Sequence, residues 1–411
     1  MANRLGTLKH CVLLMLVAAG ILLIYDGRYG FSATLSMPWY SSSNTSLQAG
    51  QCHDVLHTMT KGIWKQKRMT SEEVQKMSHF HKRVREEEHH LPKGVQRTDK
   101  QCGNISISVK NKWIRALCDS EGNTPCCYEN HCVNKLPAEC ACSNCFDLRI
   151  PVHAEYSDWL PVDPVCKPQN WSVEDICRLL EPSTLYFIGD SFIRHVYTAL
   201  LLAARGNDVT GAFASKMPQE LRSRCSNEKQ TSHSGIYMFT EKVCRLWLDQ
   251  NTRVCNGTVT LRLRYLYSGT MNTSIHKTVL SLQNKTRSLV FLGVGFHDKL
   301  NVDIVTKRLL KPLLTAMKSK RLQWPRLVWA PVHQFGMMRT SQTAVDVNMA
   351  REFNRRVEEF LTPWGVPVFN TFTLTDNVTS FDGQHYGFGV NRMKVRILLH
   401  YLQELKSLGR W

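Results

Sequence analysis

From residue 183 onward, short apolar runs alternate with longer segments of helical periodicity, and this alternation narrows the fold more than any other feature. Thr184-Leu-Tyr-Phe-Ile188 is apolar throughout, the pattern of a strand covered on both faces. Gly189-Asp190-Ser191 breaks the run. Phe192–Ala204 then places Ile193, Val196, Tyr197, Leu200 and Leu201 on one helical face. Val259–Tyr267 alternates with period two and predicts an exposed strand. Cys244 and Cys255 precede it, spaced to close a hairpin. Strand–helix units follow: Ser288–Val294 with Val302–Lys318, Arg326–Val332 with Val345–Leu361, and Val366–Asn370 with Val390–Leu405. That order predicts an α/β domain, residues 183–411, with a mainly parallel sheet and helices on both faces. In such sheets, sites collect in the loops beyond the carboxyl ends of the strands.

The preceding half of the chain cannot be built the same way. Residues 101–182 hold a crowded cysteine series, Cys126, Cys127, Cys132, Cys140, Cys142 and Cys145, and end in loops rich in proline. In a reducing compartment the series would read as zinc ligands; in an oxidising one it reads as a disulfide-stapled subdomain. The pairing is not deducible. Residues 26–100 are polar and charge-rich, with few apolar anchors, and read as a stem.

The compartment follows from the first residues. A short basic segment, 1–10, precedes an apolar run at 11–25. Small residues lie inside that run rather than just after it, so it reads as an uncleaved signal anchor, not a cleaved signal peptide. The basic flank stays in the cytosol and the rest lies in the lumen. Seven Asn-x-Ser/Thr sequons, at Asn44, Asn104, Asn170, Asn256, Asn272, Asn284 and Asn377, agree. Of fifteen cysteines, only Cys11 falls in the anchor, which leaves an even number for disulfides. The formal charge of +18 implies anionic neighbours: acidic glycans, nucleotide phosphates or a membrane surface. Nucleic acid is excluded by compartment. No internal repeat supports a solenoid or propeller. No Asp-x-Asp motif supports a metal-dependent glycosyltransferase, and no metal site is expected.

The chemistry-bearing residues fall where a parallel sheet puts its active edge. Ser191 sits between the first strand and its helix, where helix-start N–H groups face a developing oxyanion. A serine hydroxyl is a weak nucleophile and needs a base. Asp382-Gly-Gln-His385, before the final helix, supplies an imidazole and a carboxylate to orient it. Arg194 lies one turn past Ser191, placed either to bind an anion or to pair with a carboxylate. His297 is a candidate lining residue. His333 reads as structural, and so does His195, which reads as pointing away from Ser191.

Gly189-Asp-Ser191 after a strand, Arg194, and the terminal Asp382-x-x-His385 resemble the SGNH/GDSL hydrolase superfamily. The likeness is to its PC-esterase branch, which includes the luminal domain of sialate O-acetyltransferase and the trichome-birefringence-like polysaccharide O-acetyltransferases. The resemblance covers about residues 183–405. It implies a three-layer α/β/α fold and an acyl-enzyme on Ser191, with Asp382 and His385 completing a triad. It implies O-acetyl transfer to a glycan hydroxyl by a single-pass type II Golgi protein, and the basic charge suits an anionic glycan. No bound cofactor is expected. The acetyl donor would be luminal acetyl-CoA or come from a membrane partner. The alternatives are a glycan acetylesterase with the same triad and an inactive glycan-binding relative. The family's glycine and asparagine oxyanion donors are not matched. Gly293-Val-Gly-Phe-His-Asp298 stands at the asparagine block, leaving Gly295 and His297 as substitutes. Gly211 is the candidate for the glycine.

Overall fold

The computed structural model describes residues 52–82, 96–109, 112–230, 239–339, 346–380 and 382–411. The predicted anchor at 11–25 and the sequon at Asn44 lie outside them. Among the described residues, no helix is long and apolar enough to cross a membrane.

The second half of the chain forms the expected three layers. Strand β1 (Ser183–Gly189) is buried along its whole length and leads into helix α1 (Ser191–Arg205). Then come β2 (Asn251–Val254), β3 (Val259–Tyr265), α2 (Asn272–Leu280), β4 (Ser288–Gly293), α3 (Lys311–Ser319), β5 (Arg326–Trp329), α4 (Val347–Leu361) and α5 (Phe388–Ser407). The sheet order is β5-β4-β1-β3-β2. All neighbours are parallel except the edge pair of β2 and β3. The period-two pattern of β1 sorts its side chains between two cores. Leu185 and Phe187 join α1 and α5 on one face; Tyr186 and Ile188 join α2, α3 and α4 on the other.

The chain leaves β1 to build β3 on one side and β4 on the other, so the sheet's switch point lies at the carboxyl end of β1. Helix α1 seats tightly there because two glycines make room. Gly189 and Gly293 are register partners. A Cβ on either would run into Ile193 and a neighbouring carbonyl oxygen. Ile193 fills the space their missing side chains leave, fixing the start of α1 against the sheet.

The strand at 259 does alternate with one exposed face, and β2 pairs along its outer side. Val259, Leu261 and Leu263 are buried, while Arg262 and Arg264 on the other face donate to the hydroxyls of Tyr186 and Thr278. Several expectations need correction. The helix expected at 302–318 is π-helical over Ile304–Leu310 before α3 begins. Val366–Asn370 runs beside β5 but forms one bridge, at Val368, because Pro367 has no N–H for a ladder. Cys244 and Cys255 do not close a hairpin; Cys255 bonds Cys177 and Cys244 bonds Cys225.

Residues 26–51 and 83–95 of the expected stem lie outside the described residues; residues 52–66 are docked on the domain. Cys52 is bonded to Cys166. Val55, Leu56 and Met59 enter the main core. Gly62–Gln66 pairs antiparallel with Ser157–Pro161, and the Trp64 indole donates to the Leu374 carbonyl at 2.9 Å. A few well-placed apolar residues dock this segment despite its polar composition. Within the following helix, Ser71–Lys82, the described side chains of its first two turns are exposed.

Residues 96–150 make a separate layer of short antiparallel strands, Ser106–Val109 with Lys112–Arg115 and Cys126–Tyr128 with His131–Val133 and Phe146–Asp147. Four disulfides hold it: Cys102–Cys127, Cys118–Cys132, Cys126–Cys140 and Cys142–Cys145. All the sulfurs that gather closely enough to suggest a metal group belong to these bridges or to Cys177–Cys255. Of the sequon asparagines, Asn104, Asn170, Asn256, Asn284 and Asn377 are exposed, as a glycan acceptor must be. Asn272 is the first residue of α2.

Candidate functional site

Ser191 is the first residue of α1 and stands at the switch point. Asp190 caps the helix, its side chain accepting the Phe192 N–H at 2.9 Å. The turn 382–385 comes from the far end of the chain and delivers the other two groups. The Ser191 hydroxyl donates to His385 Nε2 at 2.8 Å, and His385 Nδ1 donates to Asp382 Oδ2 at 2.7 Å. The other Asp382 oxygen accepts the backbone N–H groups of Gln384 at 2.9 Å and His385 at 2.7 Å. Both carboxylate oxygens are thus committed, so the acid locks its own turn and fixes the imidazole tautomer together. The Asp382 side chain is almost fully covered; that of His385 keeps 11% of its surface. This is a covered carboxylate behind a base that still reaches solvent.

The arrangement suits nucleophilic acyl chemistry. The base touches the hydroxyl it would deprotonate, and an acid orients the base. The helix start adds a positive end beneath the nucleophile. The Phe192 N–H is already taken by Asp190, so it is not an oxyanion donor.

The other sequence candidates divide. His297 lies exposed on the rim, its ring edge-on to Tyr267 at 5.3 Å and Phe296 at 5.3 Å. Its pKa is lowered, chiefly by partial desolvation and secondarily by the nearby His385. Gly295 has φ +139°, and a Cβ there would strike the Phe353 ring. Its carbonyl accepts the N–H groups of Asp298 and Leu300, which closes the loop. The structure therefore gives Gly295 a packing reason to be glycine. Asp298 in turn accepts from the Ser268 hydroxyl and the Gly269 N–H, tying the loops after β3 and β4 together.

Arg194 does not line the cleft. It is 3% exposed, lies under the Tyr265 ring at 5.6 Å, and approaches His195 Nε2 at 3.3 Å. Gly211 is not at the site. Arg205, the last residue of α1, donates to its carbonyl, and the helix rise puts that end ~20 Å from Ser191.

His195 corrects a reading of direction. Four residues along a helix is the same face, not the opposite one. The His195 ring lies 5.2 Å from that of His385. Two further groups were missed. Asp190 is buried against the triad, and burial raises its pKa to about 6. Lys394 is buried in α5 and bonds His333. A signal for Lys394 existed: it falls in the stripe with Val390, Ile397, Leu398 and Tyr401, where an aliphatic residue belongs.

A ledge of rings flanks the triad on one side. Phe192 meets Phe296 at 5.5 Å and His385 at 5.5 Å. Phe296 continues to Phe335, and Tyr267 to Tyr265. The Arg339 guanidinium lies 5.1 Å from the Phe296 and Phe335 ring centres.

No family model matches the chain, and no curated protein matches it. Among solved structures, one described as "a putative arylesterase from Agrobacterium tumefaciens" aligns with a TM-score of 0.32 and 13% identity. That alignment covers 54% of this chain and 99% of the other.

Proposed function

We propose that the protein is a serine acyltransferase that moves an acetyl group onto glycan hydroxyls in the secretory lumen. The continuous hydrogen-bond path from Ser191 through His385 to Asp382 supports this reading more than any other observation. His385 takes the Ser191 proton as the hydroxyl attacks the donor's acyl carbon. The donor's leaving group departs with that proton, and Ser191 holds the acetyl ester. A sugar hydroxyl, deprotonated by the same His385, attacks the ester. The acetyl group passes to the sugar and Ser191 recovers its proton.

The donor is acetyl-CoA or an acetyl carrier supplied by a membrane partner. The acceptor is a glycan, and the cationic, aromatic ledge beside the triad favours an anionic one. The apolar run at 11–25 and the disulfides favour a type II Golgi membrane protein with the triad in the lumen. With water as acceptor, the same steps make an acetylesterase.

The test is covalent labelling of the full-length protein with a fluorophosphonate, followed by glycan mass spectrometry. Ser191 should carry the label and Ser191→Ala should lose it. An unlabelled wild-type protein would reject the enzyme reading and leave a glycan-binding one. Acetyl groups gained on cellular glycans with the protein mean transfer; acetyl groups lost mean hydrolysis.

A further inference from the structure

We propose that His333 and Lys394 form a positioning pair that holds the Asp382–His385 turn in register with Ser191. The proposal rests on the acyl-transfer reading above for its activity readout and on geometry for the rest.

His333 touches both segments that meet at the triad. Its ring lies 3.9 Å from the ring of Phe192, the residue after Ser191. Its Nε2 is 2.7 Å from the Gln384 carbonyl, one residue before His385. The ring of Tyr386, on the other side of His385, packs at 5.0 Å. His333 is thus a bridge between the nucleophile's helix and the base's turn.

The proton positions are dictated. A carbonyl only accepts, so Nε2 of His333 carries the hydrogen. The other nitrogen, Nδ1, then presents a lone pair, and Lys394 Nζ donates to it at 3.0 Å. Lys394 thereby fixes the tautomer that grips Gln384. Both side chains are 4% exposed. Burial keeps His333 neutral, its pKa well below the ordinary value, and the Lys394 charge lowers it further. Burial also brings Lys394 down to about 7, against the opposing pull of Asp190. Burying an amine costs stability that an aliphatic side chain in the same stripe would not. Its retention there is explained by the bond it makes.

From Lys394 the bonds run unbroken: to His333, to the Gln384 carbonyl, from the Gln384 N–H to Asp382, and from Asp382 through His385 to Ser191. A loosened turn would move His385 Nε2 off the hydroxyl, and a displacement of ~1 Å at a reacting pair costs up to ~100-fold.

The test compares full-length variants by fluorophosphonate labelling rate at Ser191 and by hydrogen exchange of the 382–386 backbone. His333→Phe fills the ring's space but removes both bonds; Lys394→Met removes the donor. Each should slow labelling by ~10-fold to ~100-fold and speed exchange in the turn. His333→Gln presents an amide N–H and a carbonyl in place of Nε2 and Nδ1, and should restore most of both. Wild-type labelling and exchange in His333→Phe or Lys394→Met would overturn the proposal. So would a His333→Gln protein, folded by circular dichroism, that behaves like His333→Phe. If the wild-type protein does not label, the acyl-transfer reading fails, and the exchange comparison still decides for or against the positioning pair.

Discussion

Residues 96–150 and residues 183–407 solve the problem of stability in different ways. The first region has strands of two to four residues and a core made largely of cysteine sulfur and a few side chains such as Ile114, Leu117 and Phe146. So small an apolar cluster cannot offset the backbone entropy of ordering the segment, and four disulfides shorten the unfolded ensemble instead. The second region buries Phe187, Phe291, Phe353 and Trp329 among aliphatic helices on both faces of a sheet. It needs no covalent help at its centre. The regions meet beside the Ser191–His385–Asp382 group. Arg115 of the stapled layer donates to the Met337 and Arg339 carbonyls, and Met338 packs on Ile114 and Leu117. Gly336 donates to the Gly383 carbonyl inside the triad turn. A covalently held layer thus braces a loop of the domain held by apolar packing, next to the Ser191–His385–Asp382 group.

The largest effect should come from a change that leaves both kinds of stability alone. Asp382→Asn keeps volume and one accepting oxygen but reverses what the imidazole's Nδ1 meets. Fluorophosphonate labelling or acetyl-ester turnover should fall by about 10³-fold to 10⁴-fold with little change in melting temperature. A loss below about tenfold would mean that Asp382 serves only to fold its turn.

Breaking bridges separates the regions. Replacing Cys118 and Cys132 by serine opens a loop of 14 residues, and about 3 kcal/mol should go. Three bridges remain, but the layer's apolar cluster is small, so it should unfold in a separate transition before the sheet does. Replacing Cys177 and Cys255 opens a longer loop, of 78 residues, for which chain entropy gives over 4 kcal/mol. Yet that loop contains β1 and α1, so the domain should stay folded and melt in one step at lower temperature. Calorimetry of both double variants checks the contrast. A single transition in the first variant would show that the layer draws its stability from the domain beneath it.

The sequence carried the domain far better than the layer, for a physical reason. Apolar burial leaves an unbroken run or a period: β1, β4 and β5 are legible as apolar runs, and α1, α4 and α5 from their helical spacing. Disulfides leave only cysteines, and Cys255 finds Cys177 rather than its neighbour in sequence because the sheet brings them together. The triad was legible because its two motifs sit at predictable ends of elements. What supports it was not. His333 and Lys394 are separated by 61 residues, and only the packing of α5 beside α1 and the loop after β5 makes them partners. The docking of residues 52–66 was not legible because Val55, Leu56 and Met59 are too few to alter composition.

The smallest of these effects concerns a charge hidden in the apolar domain. Asp190 is buried at the start of α1, and desolvation moves its pKa from 3.8 to about 6. The folded protein therefore binds this proton more tightly than the unfolded chain does. Stability is highest below 3.8 as far as this group is concerned, falls as pH rises through about 6, and stays lower above it. Two pKa units set the ceiling at about 3 kcal/mol. Asp190→Asn keeps an oxygen for the Phe192 N–H but has no charge to bury. Denaturant midpoints measured at pH 4 and pH 7, at the same ionic strength, should show a smaller drop in the variant than in the wild type. An equal drop in both would place the pH sensitivity elsewhere, and would mean that the Asp190 carboxylate is solvated or paired well enough to ionise at its ordinary value.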